Sequence, residues 1–294
     1  MAIDRHYFPH ACLCLQSIER YYPQHPDILV YHYGLTPKQV KKLGTFSKVR
    51  PVFFRDDLSY GISLMPSHRQ MRVDPLIVTA RYAIWSHTLS HYDKVLHLDV
   101  DTLVLGPLDS FFLRNEFTMI EEPFDAGLFD DANLPLGTAL LKEDGIRFGS
   151  RQANGGVFLV PRHFRNPEHR DRLHALNKKY GSIVKWQDQS ILNLLLFDQG
   201  LAPTEDYEFN YCVNMHAHYP KEFETANIKV LHFNDMIEND WMRLLLMRVG
   251  LSYCDRPGNV RKFSSVACRI YQYGKNRKLQ KYLRILSKII RKYV

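Results

Sequence analysis

The chain has 294 residues, 45% hydrophobic and 24% charged, with 39 Lys and Arg against 31 Asp and Glu for a net charge of +8. That balance excludes a disordered or fibrous polymer, and the length supports a buried core without disulfide staples. Eight of the basic residues and no acidic one lie in residues 274–294, which leaves the body formally neutral and makes the tail the part that would meet an anionic surface.

In chain order, residues 1–4 read as the end of a strand. At about four residues it falls short of the usual ~5–6, which points to a native start upstream of Met1. Residues 7–21 form a helix, with Ala11, Leu15 and Ile18 at helical spacing. Residues 28–33 are a strand rich in aromatic and β-branched side chains. Thr36-Pro37 is a cap followed by proline at the first helical position and opens a helix to Leu43. Residues 49–54 are the next strand. Asp74-Pro75 opens a helix to Leu89 in the same way, and residues 94–98 form an apolar strand ending at Asp99. This β-α-β-α-β-α-β order predicts an α/β fold, a mostly parallel Rossmann-like sheet with helices on both faces.

Residues 107–152 read as irregular and carry Glu121, Glu122, Asp125, Asp130 and Asp131. Residues 157–160 form a strand, 171–180 and 188–197 helices, and 228–233 the last strand. The chain then turns helical and basic. Residues 1–250 read as one catalytic unit and 251–294 as a helical basic tail. The five cysteines are odd in number and form no C-x-x-C pair; Cys12 and Cys14, two apart on a helix, face different ways. They read as reduced thiols of a cytosolic protein. No stretch resembles a signal peptide or reaches the ~18 apolar residues of a membrane span. In the tail, Leu279, Leu283, Leu286 and Ile290 recur at three- and four-residue spacings between the basic residues. That amphipathic pattern suits the anionic inner face of a membrane, or a packed terminal helix with its basic side in water, better than nucleic acid.

Chemistry concentrates at strand ends. Asp99-Val100-Asp101 closes the strand 94–98, at the end where open α/β sheets bind ligands. Two aspartates one residue apart can share Mn²⁺ or Mg²⁺ with a diphosphate. They also begin Asp99-Val100-Asp101-Thr102-Leu103, the D-x-D-x-T pattern of aspartyl-phosphate phosphatases, and they can be a solvated loop pair. In phosphatases of that pattern the motif closes the first strand, whereas here about three strand–helix units precede it. Asn154-Gly155-Gly156 permits close backbone approach to a ligand or makes a tight turn. Trp186-Gln187-Asp188-Gln189 opens a helix, where Asp188 suits the dipole. His232, on the last strand, can ligate a cation through a neutral imidazole.

Taken in order, these residues resemble the family 8 retaining glycosyltransferases, the group that includes glycogenin and bacterial lipooligosaccharide galactosyltransferases. The resemblance covers residues 2–241 and implies a GT-A type fold, a UDP-sugar donor, a glycan or lipid-linked acceptor and retention at the anomeric carbon. Ala2, Asp4 and Tyr7 are similar to the opening that holds the nucleotide base. Arg81 matches an arginine that reaches the donor. Asp99, Val100 and Asp101 match the metal motif, and Asn154 and Gly155 the Asn-Ala/Gly-Gly element. Asp188 and Gln189 match the pair that touches the transferred sugar, and His232 the third metal ligand. The chain departs from the pattern after His232. The family shows a Gly and then Lys-Pro-Trp there; this chain keeps Trp241 but has no matching Gly or Lys, and Arg243 stands just beyond. The same departure keeps open a donor-binding protein that has lost activity.

Overall fold

Parallel pairing begins at the first residues of the computed structural model, which describes residues 1–54, 80–124, 127–149, 151–219, 227–234, 240–254 and 257–274. Strand β1 (Ala2–Ile3) lies parallel to β2 (Ile28–His32), and β2 parallel to β3 (Val49–Phe53). Parallel neighbours need crossover connections, and α1 (Phe8–Tyr21) and α2 (Pro37–Leu43) supply them. The Thr36 hydroxyl accepts the Gln39 N–H at 3.3 Å while the Gln39 side chain accepts the Thr36 N–H at 2.9 Å, closing a capping box that fixes where α2 begins. β1 meets only the last residues of β2. Beside the first ones a cavity of about 310 Å³ separates β2 from β4 (Lys94–Leu98).

Where a helix is expected over residues 74–89, the described part is two 3₁₀ segments, Ala80–Trp85 and His87–Leu89, and residues 74–79 lie outside the described residues. Ser86 turns its hydroxyl onto the Ala83 carbonyl at 2.6 Å, a local bond that competes with a continuous helical ladder.

β4 pairs antiparallel with the long strand β7 (Ala153–Pro161), and β7 pairs antiparallel on its other side with β6 (Thr118–Glu121). All nine residues of β7 are buried, as befits a strand flanked on both edges. β5 (Thr102–Val104) runs antiparallel to β9 (Val230–His232), which is parallel to β8 (Tyr211–Cys212). The fold is therefore mixed α/β: the N-terminal sheet is parallel as expected, while the strand that ends at Asp99 takes an antiparallel neighbour. The stretch 107–152 carries short regular elements, α3 (Asp109–Phe112), β6 and α4 (Leu134–Glu143). Helix α5 (Pro167–Tyr180) starts earlier than its apolar pattern suggests, because the Asn166 side chain accepts the His169 N–H at 2.9 Å with proline at the first helical position. Helices α6 (Gln187–Asp198), α7 (Asp240–Tyr253) and α8 (Pro257–Gly274) complete the described chain.

One apolar cluster packs α5 and α6 on β7 through Leu173, Leu176, Leu192, Leu195 and Phe158. A second joins α1 to the parallel strands, and a third seats α7 and α8 on β5, β8 and β9 through Met247, Phe263, Leu103 and Phe233. Burying each such side chain contributes about 1.5–3 kcal/mol. These layers hold the ends of β4, β5, β7 and β9 against one another. All five cysteines are free thiols. Among the described residues no helix is long and apolar enough to cross a membrane. The tail, residues 275–294, lies outside the described residues.

Candidate metal and donor site

Strand register assembles the site. Leu98 faces Val157 across β4 and β7, so the next residue, Asp99, donates its N–H to the Gly156 carbonyl at 2.8 Å. Thr102 faces His232 across β5 and β9, and the Phe233 N–H is held by the Asp101 carbonyl at 2.9 Å. Three stretches far apart in sequence, 94–104, 153–161 and 230–233, thus meet at one point. One ligand atom each from Asp99, Asp101 and His232 lies within 4.8 Å of the others.

The atoms divide between an inner and an outer face. His232 Nε2 is 3.4 Å from Asp101 Oδ1 and 3.9 Å from Asp99 Oδ2. The outer oxygens are already held: Asp99 Oδ1 accepts from Arg81 at 3.1 Å and from His97 Nε2 at 2.9 Å, and Asp101 Oδ2 accepts from Arg243 at 2.8 Å. The imidazole is held from behind as well, since its Nδ1 donates to Asn210 Oδ1 at 3.0 Å, which aims Nε2 inward. Two carboxylate oxygens and one imidazole nitrogen, converging with their outer atoms fixed, fit a divalent cation of the Mn²⁺ or Mg²⁺ kind.

The electrostatics agree. Burial works against ionisation of Asp99, but Arg81, then His97 and His232, hold it well below the usual carboxylate range. Burial is likewise overcome at Asp101, by Arg243 and then His232. His232 is buried, which disfavours its cation, yet the Asp101 carboxylate raises it to about 10. His97 behaves oppositely. Burial against the Phe158 ring, 4.7 Å away and stacked, lowers it to about 4 and leaves a neutral donor to Asp99.

A second polar group adjoins the first. Arg81 spans them, with Nε 2.6 Å from Asp188 Oδ2 and Nη1 donating to the Gly155 carbonyl at 3.1 Å. Burial lifts Asp188 to about 6, partly opposed by Arg81. Gln189 Oε1 accepts the Gly155 N–H at 2.9 Å, and its Nε2 donates to Glu122 at 3.2 Å. Asn154 donates to the same Glu122 oxygen at 3.0 Å, and its own oxygen accepts from Gly156 N–H and from Asn210. The glycines answer to space here. A Cβ on Gly155 would stand 2.8 Å from Arg81 Nη1, and one on Gly156 2.1 Å from His232 Cε1.

The structure thus brings together Arg81, Asp99, Asp101, Asn154, Gly155, Asp188, Gln189 and His232. Val100 is 5% exposed and packs into the core, so it offers only backbone to the site. Asp4 Oδ1 accepts the N–H groups of His6 and Tyr7 at 2.8 and 2.9 Å, forming the turn into α1. Tyr7 reaches the cluster through Arg243, whose Nη1 is 3.3 Å from the Tyr7 hydroxyl. Ala2 sits in β1, packed with Phe54, Ala80 and Ala83. Sequence reading passed over Glu122, His97, Asn193 and Asn210 as site components. Asn193, buried on α6, accepts the Ala153 N–H at 2.7 Å and donates to its carbonyl at 2.8 Å, tying the start of β7 to α6. The one signal available was polarity inside apolar segments, as with His97 between Leu96 and Leu98.

Solved structures share this fold. An active-site mutant of LgtC superposes with a TM-score of 0.60 at 20% identity, covering 79% of this chain and 85% of that one. The glycosyltransferase GlyE of Streptococcus pneumoniae superposes at 0.54 with 20% identity, over 85% of this chain and 61% of that one. Among curated proteins, glucoside xylosyltransferase 2 of Xenopus laevis is 26% identical over 182 residues, 52% of this chain; the matched part spans 39% of that protein's length. The shared fold is of the GT-A type. The chain belongs to glycosyl transferase family 8, whose model matches residues 1–238. With that family assignment the D-x-D-x-T reading loses its support.

Proposed function

We propose that the protein is a retaining glycosyltransferase that moves a hexose or related sugar from a UDP-sugar to a glycan or glycolipid acceptor, with Mn²⁺ or Mg²⁺ held by Asp99, Asp101 and His232. One observation carries the reading: the inward convergence of those three ligand atoms, beside Asp188 and Gln189 at the start of α6. The bound cation supplies charge neutralisation for the departing diphosphate.

The chain's own residues do the rest. Ala2, Asp4 and Tyr7 seat the uracil, where stacking on a tyrosine is worth ~1–3 kcal/mol. Arg81 joins the metal side to the sugar side by bridging Asp99 and Asp188. Asp188 takes sugar hydroxyls. Gln189 is a neutral amide held by Gly155 and Glu122 and is a poor nucleophile, so it stabilises positive charge on the sugar ring. The acceptor oxygen attacks on the face the diphosphate leaves, the bond from the anomeric carbon to the phosphate oxygen breaks, and the acceptor's proton passes to that oxygen. The basic tail, residues 275–294, holds the enzyme on an anionic membrane face where a lipid-linked acceptor lies.

Thermal shift tests the core of this. UDP-glucose, UDP-galactose and UDP-xylose are added with and without Mn²⁺. A donor at 100 times its Kd stabilises by about 2.7 kcal/mol, a shift of several degrees, in the presence of metal only. Shifts unchanged by EDTA would remove the metal from the account. A shift without sugar release or transfer would leave a donor-binding protein instead.

A further inference from the structure

Arg243 is the cation the cluster does not explain. It lies on α7, beyond the family-matched residues 1–238, and its side chain is 2% exposed. A guanidinium is rarely buried without a specific task. Two of its contacts bear on the site. Its Nη1 donates to Asp101 Oδ2 at 2.8 Å and to the Tyr7 hydroxyl at 3.3 Å, and its carbon stands 5.6 Å from the Tyr7 ring centroid. It therefore bridges the residue proposed for the nucleoside and a residue proposed for the metal. The diphosphate of a nucleotide sugar joins those two ends of the donor. A planar fork with five N–H donors matches phosphate oxygens better than any other side chain.

On that donor reading, we propose that Arg243 is an exchangeable counter-ion: in the unloaded protein it neutralises Asp101, and on loading it transfers to the donor's diphosphate and leaves Asp101 to the cation. Two positive groups then share one carboxylate only while the donor is absent. Cation and nucleotide each favour the state the other needs, so their binding is coupled, and the coupling is reciprocal.

The test uses the full chain with Mn²⁺ alone, UDP alone and both. Mn²⁺ is followed by the electron paramagnetic resonance of the free ion and UDP by calorimetry, so neither readout depends on turnover. In the wild-type protein UDP tightens Mn²⁺ binding by roughly tenfold, within the usual span of such couplings. Arg243→Gln binds Mn²⁺ alone roughly five- to tenfold more tightly, because a competing cation is gone, yet binds UDP in saturating Mn²⁺ roughly tenfold more weakly; the coupling falls to what the cation's own contact with the diphosphate supplies. Arg243→Lys, which keeps the charge, shows smaller changes of the same signs, and it carries the comparison if circular dichroism shows that the Gln variant does not fold. Opposite signs for the two ligands are the signature, since a merely structural role would weaken both or neither. Either of those results, or wild-type binding of Mn²⁺ and UDP with no coupling, overturns the inference. A wild-type protein that binds neither probe would instead sink the metal-dependent donor reading itself.

Discussion

His232 carries a proton that a cation at this site must displace. Its folded value, about 10, stands above the ordinary 6.5, so in the metal-free protein its contact with Asp101 stabilises fully below pH 6.5 and that contribution is lost as pH rises through about 10. A cation needs the neutral ring and must expel the proton. Mn²⁺ affinity is therefore expected to rise with pH between 6.5 and 9, with close to one proton released per ion, measured by titration in buffers of different ionisation enthalpy. In His232→Gln the slope should vanish; a wild-type affinity that is flat with pH would contradict the assignment. Gly156 tests the same ring by crowding it. A methyl there would lie 2.1 Å from His232 Cε1, while one at Gly155 would stand 2.8 Å from the flexible end of the Arg81 side chain and 3.3 Å from Gln189 Cβ. Gly156→Ala is expected to lower Mn²⁺ affinity at least tenfold, an energy of about 1.4 kcal/mol, and Gly155→Ala to do less. Equal effects would mean that His232 is not the ligand being displaced.

Elements hold this geometry through ties at their ends. Asp144, just after α4, accepts from Lys179 Nζ at 2.6 Å and from the Tyr180 hydroxyl at 2.8 Å, locking α4 to the end of α5. The Lys179 hydrogen bond leads the causes that hold its carboxyl below the ordinary 3.8. A depressed carboxyl stabilises above its unfolded value and loses that contribution as pH falls through its folded one. Asp144→Asn should therefore cost about 1 kcal/mol at pH 7, and the gap to wild type should close below about pH 4; denaturant melts at pH 7 and pH 3 measure both. A gap that stays constant would show the carboxyl's charge to be irrelevant.

This scale also shows what could be read in advance. Helices α1 and α2 and the strands β2, β3 and β4 carried their own local signals: apolar spacing, a cap followed by proline, a β-branched run. The antiparallel match of β4 with β7 did not, because strand pairing is decided by which buried faces meet across sixty residues. Residues 107–152 looked irregular because their elements run from four to ten residues, too short for a period to emerge. In the site, Asp99, Asp101, Asn154, Gln189 and His232 stood out as spaced motifs. Glu122 and Asn210 did not: their role is to hold Asn154, Gln189 and His232, which only the folded chain brings to them.

Across the whole molecule, the cluster sits where the parallel N-terminal layer meets the C-terminal helices. α8 is anchored from beneath, with Val260, Phe263, Ser264, Ala267 and Cys268 buried, and it packs on the segment Val213–His218 next to β8. With α8 anchored in this way, removal of the tail is expected to leave the site undisturbed. Truncation after Gly274 deletes eight basic residues and no acidic one. Each basic residue near an anionic surface adds about 1 kcal/mol, so the full chain should co-sediment with phosphatidylserine-containing vesicles, and less so as salt rises and screens the charges. The truncated chain should stay in the supernatant, keep its melting temperature and retain transfer to a water-soluble acceptor, while losing rate on an acceptor embedded in those vesicles. If the truncated chain still sediments, the attachment lies elsewhere. If it loses its melting temperature instead, the tail is part of the packed fold, and its basic face is simply the side turned to water.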